Sequence, residues 1–259
     1  MNATRITIAA TAEDASSAAI KLAWRARGES EEAIAQRVLA TERAIEALSS
    51  FESRWVEPDE FDTVPSDPAS IESFIEQWPY RDEESNVVPG RGFIFKLFRA
   101  PSDQSISSPQ VEAWVGNARP RGLPNTITVD FKGGSSERLA EEFSMNGAAI
   151  LQALVEIWEP DVATAGTVDQ SRATFVRGTK LPRLGAVSWF SDQFGIPERV
   201  PGAVVLPFAN GSLIALGSTG AASTAGEAAG HVHGYLVAGG FCTSPSRAAL
   251  ALAPPQRAD

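Results

Sequence analysis

Sulfur and imidazole are nearly absent from this chain. Its 259 residues include one cysteine, Cys242, and two histidines, His231 and His233. A lone cysteine cannot close an internal disulfide, so the bridged framework of small secreted domains is ruled out. No stretch approaches the roughly 20 consecutive apolar residues that a spanning helix needs. The opening residues, MNATRITIAATAEDASS, lack the basic start and apolar core of a signal peptide, so a cytoplasmic location is expected. Basic charge is also in short supply. Twenty-two lysines and arginines oppose 32 acidic residues, for a formal net charge of −10. Nucleic-acid phosphates demand lysine and arginine, and this balance argues against direct binding to them.

What is present suits a folded domain of ordinary composition, with 43% hydrophobic and 21% charged residues. The acidic residues are concentrated. Val56 to Asn86 holds ten of them, with only Arg81 in opposition, so this stretch carries −9. A patch of one sign steers a partner of the other, so it fits a partner with a basic surface. The alternative is a solvated face that serves solubility alone.

Periodicity separates the elements. RITIAATA alternates as a half-buried strand does, and AAIKLAWRARG supplies a second strand. Ser30 is placed to cap a helix whose first turn carries Glu31 and Glu32, at the positive end of the helix dipole. Ile34, Val38, Thr41, Ile45 and Leu48 form its apolar stripe, with Arg37 and Arg43 beside it. Asp67 and Pro68 open a second helix bearing Ile71, Phe74, Ile75 and Trp78 on one face. GFIFKLFRA, QVEAWVGN and NTITVDF read as strands, followed by a long helix from about Ser136 to Trp158. LGAVSWFS, AVVLPF and SLIALG read as further strands, the last two joined by a hairpin at Asn210-Gly211. A final helix is expected between Ser218 and Gly240. The whole is an α+β class chain: a mixed or antiparallel sheet with three to four packed helices in a single domain over residues 1–242, and a frayed tail over 243–259.

Candidate chemistry is sparse. Glu159 and Asp161 flank Pro160 in WEPDVATAG, and in an extended segment residues two apart point the same way. A hydrolase using this carboxylate pair is therefore one reading. The other is a helix-terminating corner, since proline drives the preceding residue out of the helical region. His231 and His233 could share a metal only with ligands from elsewhere, and two residues apart on a helix they do not share a face. Ser188 lies in a strand-like run, not in a nucleophile elbow. FKGGSSER places glycines and serines before a helix, but it lacks the spacing of a phosphate-binding loop. No catalytic, cofactor-binding or metal-ligating set is assigned.

The order of aromatic and proline positions resembles the immunity protein 52 family of bacterial polymorphic-toxin systems. The resemblance is carried by Trp24, by Arg37 in the helix after it, and by Trp55. It continues through Trp114, Pro124-Asn125, the Trp158, Pro160 and Asp161 corner, and the segment around Gly185 and Trp189. Ala186 stands where that family usually has tryptophan. The resemblance implies a non-catalytic immunity protein without a cofactor, which binds and neutralises a cognate toxin of nuclease type. An acidic inhibitor could cover a nuclease's basic groove, which makes Asp59, Glu60, Asp62, Asp82, Glu83 and Glu84 the candidate contact residues.

Overall fold

Among the described residues, nine strands, all paired antiparallel, form one sheet in the computed structural model of the protein. The structure describes residues 18–48, 53–56, 65, 67–101, 108–119, 124–132, 136–175, 182–217 and 224–241. The strands are β1 (Ala19–Trp24), β2 (Ser53–Val56), β3 (Phe93–Pro101), β4 (Ser108–Val115), β5 (Asn125–Lys132), β6 (Val162–Gly166), β7 (Val187–Ser191), β8 (Ala203–Phe208) and β9 (Gly211–Leu216). The helices are α1 (Glu31–Leu48), α2 (Pro68–Ile75), α3 (Ser136–Trp158), α4 (Val168–Ala173) and α5 (Ala225–Ala238). The α+β class expected from the sequence is the class observed.

The sheet order is β2-β3-β4-β5-β1-β6-β7-β9-β8, so the first described strand lies at the centre. Alternation along each strand sends its side chains to two different layers. From β1, Ile20, Leu22 and Trp24 enter the larger core, and Phe95, Val111, Ile127, Val129, Ala163 and Trp189 join them from neighbouring strands. Helices α1, α2 and α3 close this layer, with α3 lying over β5, β1 and β6. Phe190 of β7 and Ile214 of β9 point to the other side. There, with Leu184 and Val200, they meet Val232 and Leu236 of α5 in a second core. Helix α5 thus covers the β7–β9 half of the second face, with α4 packed against α5, whereas Lys21, Lys96 and Glu112 on that face are exposed.

Local chemistry accounts for the helix boundaries. Ser30 Oγ accepts from Ala33 N at 3.2 Å, and Asp67 Oδ1 accepts from Ser70 N at 3.0 Å. Both are the side-chain caps that helix N-termini favour. Thr167 and Gln170 form a reciprocal capping box at the start of α4.

Three short elements carry no clear mark in the sequence. VATAG is β6, hydrogen-bonded between β1 and β7. Its alanines and glycine give little strand propensity, so burial between two neighbours decides its state. The short elements β2 and α4 were likewise unmarked by any strong periodicity. The strand expected over RITIAATA, the loop residues Gly133 to Ser135 and the tail 243–259 lie outside the described residues.

Candidate functional site

The Trp158–Asp161 corner is the densest meeting of the singled-out residues. Helix α3 ends at Trp158, whose side chain is completely buried. Its indole packs on Trp24, at the end of β1, with ring centroids 5.5 Å apart. Asp161 N donates to Ala23 O at 2.9 Å, which sets β6 beside β1. Three arginines surround the junction. The Arg27 guanidinium lies 5.0 Å from the Trp24 ring centroid and donates to the carbonyls of Trp158 and Glu159. Arg37 lies 5.9 Å from the Trp158 ring and pairs with Glu29 at 2.6 Å and Glu159 at 3.3 Å. Arg25 donates through its backbone N (2.9 Å) and Nε (3.2 Å) to Asp161 Oδ2, and its guanidinium also reaches Gln193. Gln193 Nε2 closes the set by donating to Asp161 Oδ1 at 2.6 Å.

This arrangement offsets the unfavourable position of Glu159 at a helix C-terminus. Cations there satisfy the last carbonyls and oppose the negative end of the dipole. Glu159 has φ +43°, in the left-handed region rather than the extended one expected ahead of a proline. A left-handed residue is a common way to end a helix, and here it leaves two carbonyls open to Arg27. The carboxylates therefore do not sit on one face of an extended segment. Asp161 is held by Arg25 and Gln193, and Glu159 by Arg37.

The other motif residues lie mainly within the fold. Trp55 is buried on β2, and Trp114 stacks on Tyr80 at 5.8 Å. Trp189 is fully buried and its Nε1 donates to Phe208 O at 3.0 Å. Gly185 faces Gly166 so closely that a Cβ on it would lie 2.3 Å from Ala165 O. Asn125 connects back to the corner: Oδ1 accepts from Asn117 N at 2.8 Å, and Nδ2 donates to Arg25 O at 3.2 Å.

The histidines occupy different settings on α5. His231 is exposed, whereas His233 is buried and its Nε2 lies 3.1 Å from Pro182 O. Burial pushes the His233 pKa down, against the opposing effect of that carbonyl. Among the described residues no group of three or more His, Cys, Asp and Glu side chains is placed to hold a metal ion.

Of the candidate contact residues, Asp59, Glu60 and Asp62 lie outside the described residues. Asp82, Glu83 and Glu84 occupy an exposed turn closed by the Arg81–Val87 bridge. Asp82 Oδ1 accepts from the backbone N of Glu84 and of Asn86, at 3.0 and 2.9 Å, so Asp82 also shapes the turn. The packing of α1 on α2 adds a residue that sequence reading had placed only as a helix-dipole partner. Glu31 lies against Glu76 and near Glu72, and its pKa is raised by slight desolvation first and by these two carboxylates second. No sequence pattern marks this meeting, because 41 positions separate Glu31 from Glu72. Arg27, Glu29 and Gln193 were also missed; the paired arginines of RAR were the only available hint.

No protein-family model and no curated protein matches this chain. Among solved structures, it is similar to the Pseudomonas aeruginosa T6SS protein PA0821. The two share 9% identity, with a TM-score of 0.49 over 87% of this chain and 73% of that one. No helix among the described residues is long and apolar enough to cross a membrane.

Proposed function

We propose that the protein is an immunity protein, which binds a cognate toxin of nuclease type and neutralises it by contact, without chemistry of its own. One observation carries this reading. Trp24, Arg37, Trp158, Pro160 and Asp161, which carry the resemblance to immunity protein 52, lie far apart in sequence but gather at one corner. The acidic surface supplies the binding chemistry. Glu31, Glu72 and Glu76 crowd together at the α1–α2 junction, and Glu83 and Glu84 project from their turn. Like charges held close repel one another, and a basic partner relieves that repulsion on binding.

Co-expression with the product of the adjacent gene tests the reading. Growth rescue together with a stable co-purified complex is the expected result. Persistent toxicity without a complex would overturn it. Replacing Asp59, Glu60, Asp62, Asp82, Glu83 and Glu84 by their amides should then weaken binding and flatten its salt dependence. Unchanged affinity in that variant would move the interface elsewhere while leaving the immunity role intact.

A further inference from the structure

A cleft of about 190 Å³ opens where the exposed half of the second sheet face meets the edge of the α4–α5 layer. Its floor includes Lys21 of β1 and Thr164 of β6, which are register partners. Its walls include Ser171 and Arg172 of α4, and Arg183 from the segment leading into β7. Three cationic side chains from three separate elements thus converge on one concavity, in a chain whose net charge is −10.

The charges at this site are poorly compensated. Arg183 is positioned by its own contacts: it lies 4.7 Å from the Phe175 ring centroid and donates to Ser171 Oγ at 3.0 Å. Arg172 pairs only loosely with Asp169, at 3.5 Å between two largely exposed side chains. Such a pair contributes little attraction in water. Lys21 has no ion pair among the described residues. Its cross-strand neighbours on β5 and β6 are Thr128 and Thr164, whereas Lys96 on the same face pairs with Glu112. With Asp169 beside Arg172 and Asp130 across from Ala19 as acids nearby, the three cations still leave an excess of positive charge at a concave site, which raises the local potential and attracts anions.

We infer that this cleft is a binding site for a small tetrahedral oxyanion of the phosphate class. A water molecule takes about 30 Å³ of liquid volume, so the cleft accommodates one phosphate group with a few waters. It is smaller than the roughly 300 Å³ at which pockets for drug-sized ligands begin. The donors approach from the floor, from α4 and from the opposite wall. That spread suits a tetrahedral anion, whereas a planar carboxylate is best met by a single guanidinium fork. The site lies on the opposite side of the sheet from the α1–α2 acidic cluster, so its occupancy does not depend on the immunity reading.

Titration of the intact protein with inorganic phosphate, at constant ionic strength set with sodium chloride, tests the inference by calorimetry and thermal unfolding. Saturable phosphate binding is expected, with a rise in Tm and with backbone amide shifts at Gly166 and Ser171. Acetate should produce neither. Lys21→Gln and Arg172→Gln should each weaken binding about tenfold, as loss of a charge-assisted hydrogen bond implies. Lys96→Gln, on the same face, should bind as the unaltered protein does. Lys21 and Arg172 are exposed, so both variants should keep the fold, and circular dichroism checks this. Binding that is not saturable, that acetate matches, or that survives both substitutions would overturn the inference.

Discussion

The Trp158 indole donates its Nε1 hydrogen to Thr41 Oγ1 at 2.8 Å, and that hydroxyl donates onward to Arg37 O at 2.9 Å. The relay joins the end of α3 to the middle of α1, inside the larger core. It fixes the indole beneath the Arg37 guanidinium, and so couples a buried hydrogen bond to the charged corner above it.

Thr41→Val should therefore leave a buried indole N–H without a partner, at a cost of about 1–3 kcal/mol. Thr41→Ser keeps the hydroxyl and should recover most of that loss. Trp158→Ala, which also opens a cavity, should cost about 3–5 kcal/mol. Urea unfolding of the three variants checks the order, and equal stability of the valine and serine forms would refute the relay.

The corner carboxylates separate the two functional readings. Glu159→Gln together with Asp161→Asn removes both charges but keeps side-chain shape. Because the pairs they break are partly exposed, stability should fall by only about 1 kcal/mol. On the immunity reading, toxin neutralisation in a growth assay persists. Loss of a hydrolytic activity in the same variant, with folding intact, would instead favour a hydrolase.

Burial, reinforced by Glu46 and opposed by Arg43, pushes the Glu42 carboxyl up to about 8 from an ordinary 4.5. The folded form therefore holds this proton more tightly than the unfolded chain does. Its contribution to stability is fully present below pH 4.5 and is lost as the pH rises towards 8. Glu42→Gln should match the unaltered protein near pH 5 and exceed it near pH 8.5 by a few kcal/mol, on the order of the linkage energy. Parallel denaturation midpoints at both values would contradict this.

Gly185→Ala tests a backbone approach. The added Cβ would meet Ala165 O at 2.3 Å and Gly166 Cα at 3.0 Å, and neither backbone can swing aside. Overpacking of this kind costs about 1–3 kcal/mol, so a lower thermal midpoint is expected. No change would show that β6 and β7 can separate at this end.

The α1–α2 acidic cluster should give opposite signs in two assays. Amide substitution at Glu31, Glu72 and Glu76 removes repulsion, so the free protein should gain stability. On the immunity reading, the same variant should bind the cognate toxin less tightly and with a shallower salt dependence. A variant that gains stability without losing affinity would place the contact surface elsewhere.

Much of the secondary structure follows from local physics that the sequence states openly. The 3.6-residue stripe, the Asp67-Pro68 start and the proline after Trp158 mark helices because caps and backbone sterics act over only a few residues. Alternation marks β1, β3 and β5 for the same reason. The sequence also determines the −9 segment and the scarcity of sulfur and imidazole. Tertiary structure alone decided the state of VATAG, since its small residues become a strand only between β1 and β7. It decided that Glu159 and Asp161 serve different arginines, that Glu31 joins the acidic cluster, and that Lys21, Arg172 and Arg183 share a cleft. These meetings span tens to more than a hundred positions. They depend on sheet order and helix packing, which periodicity and capping do not encode.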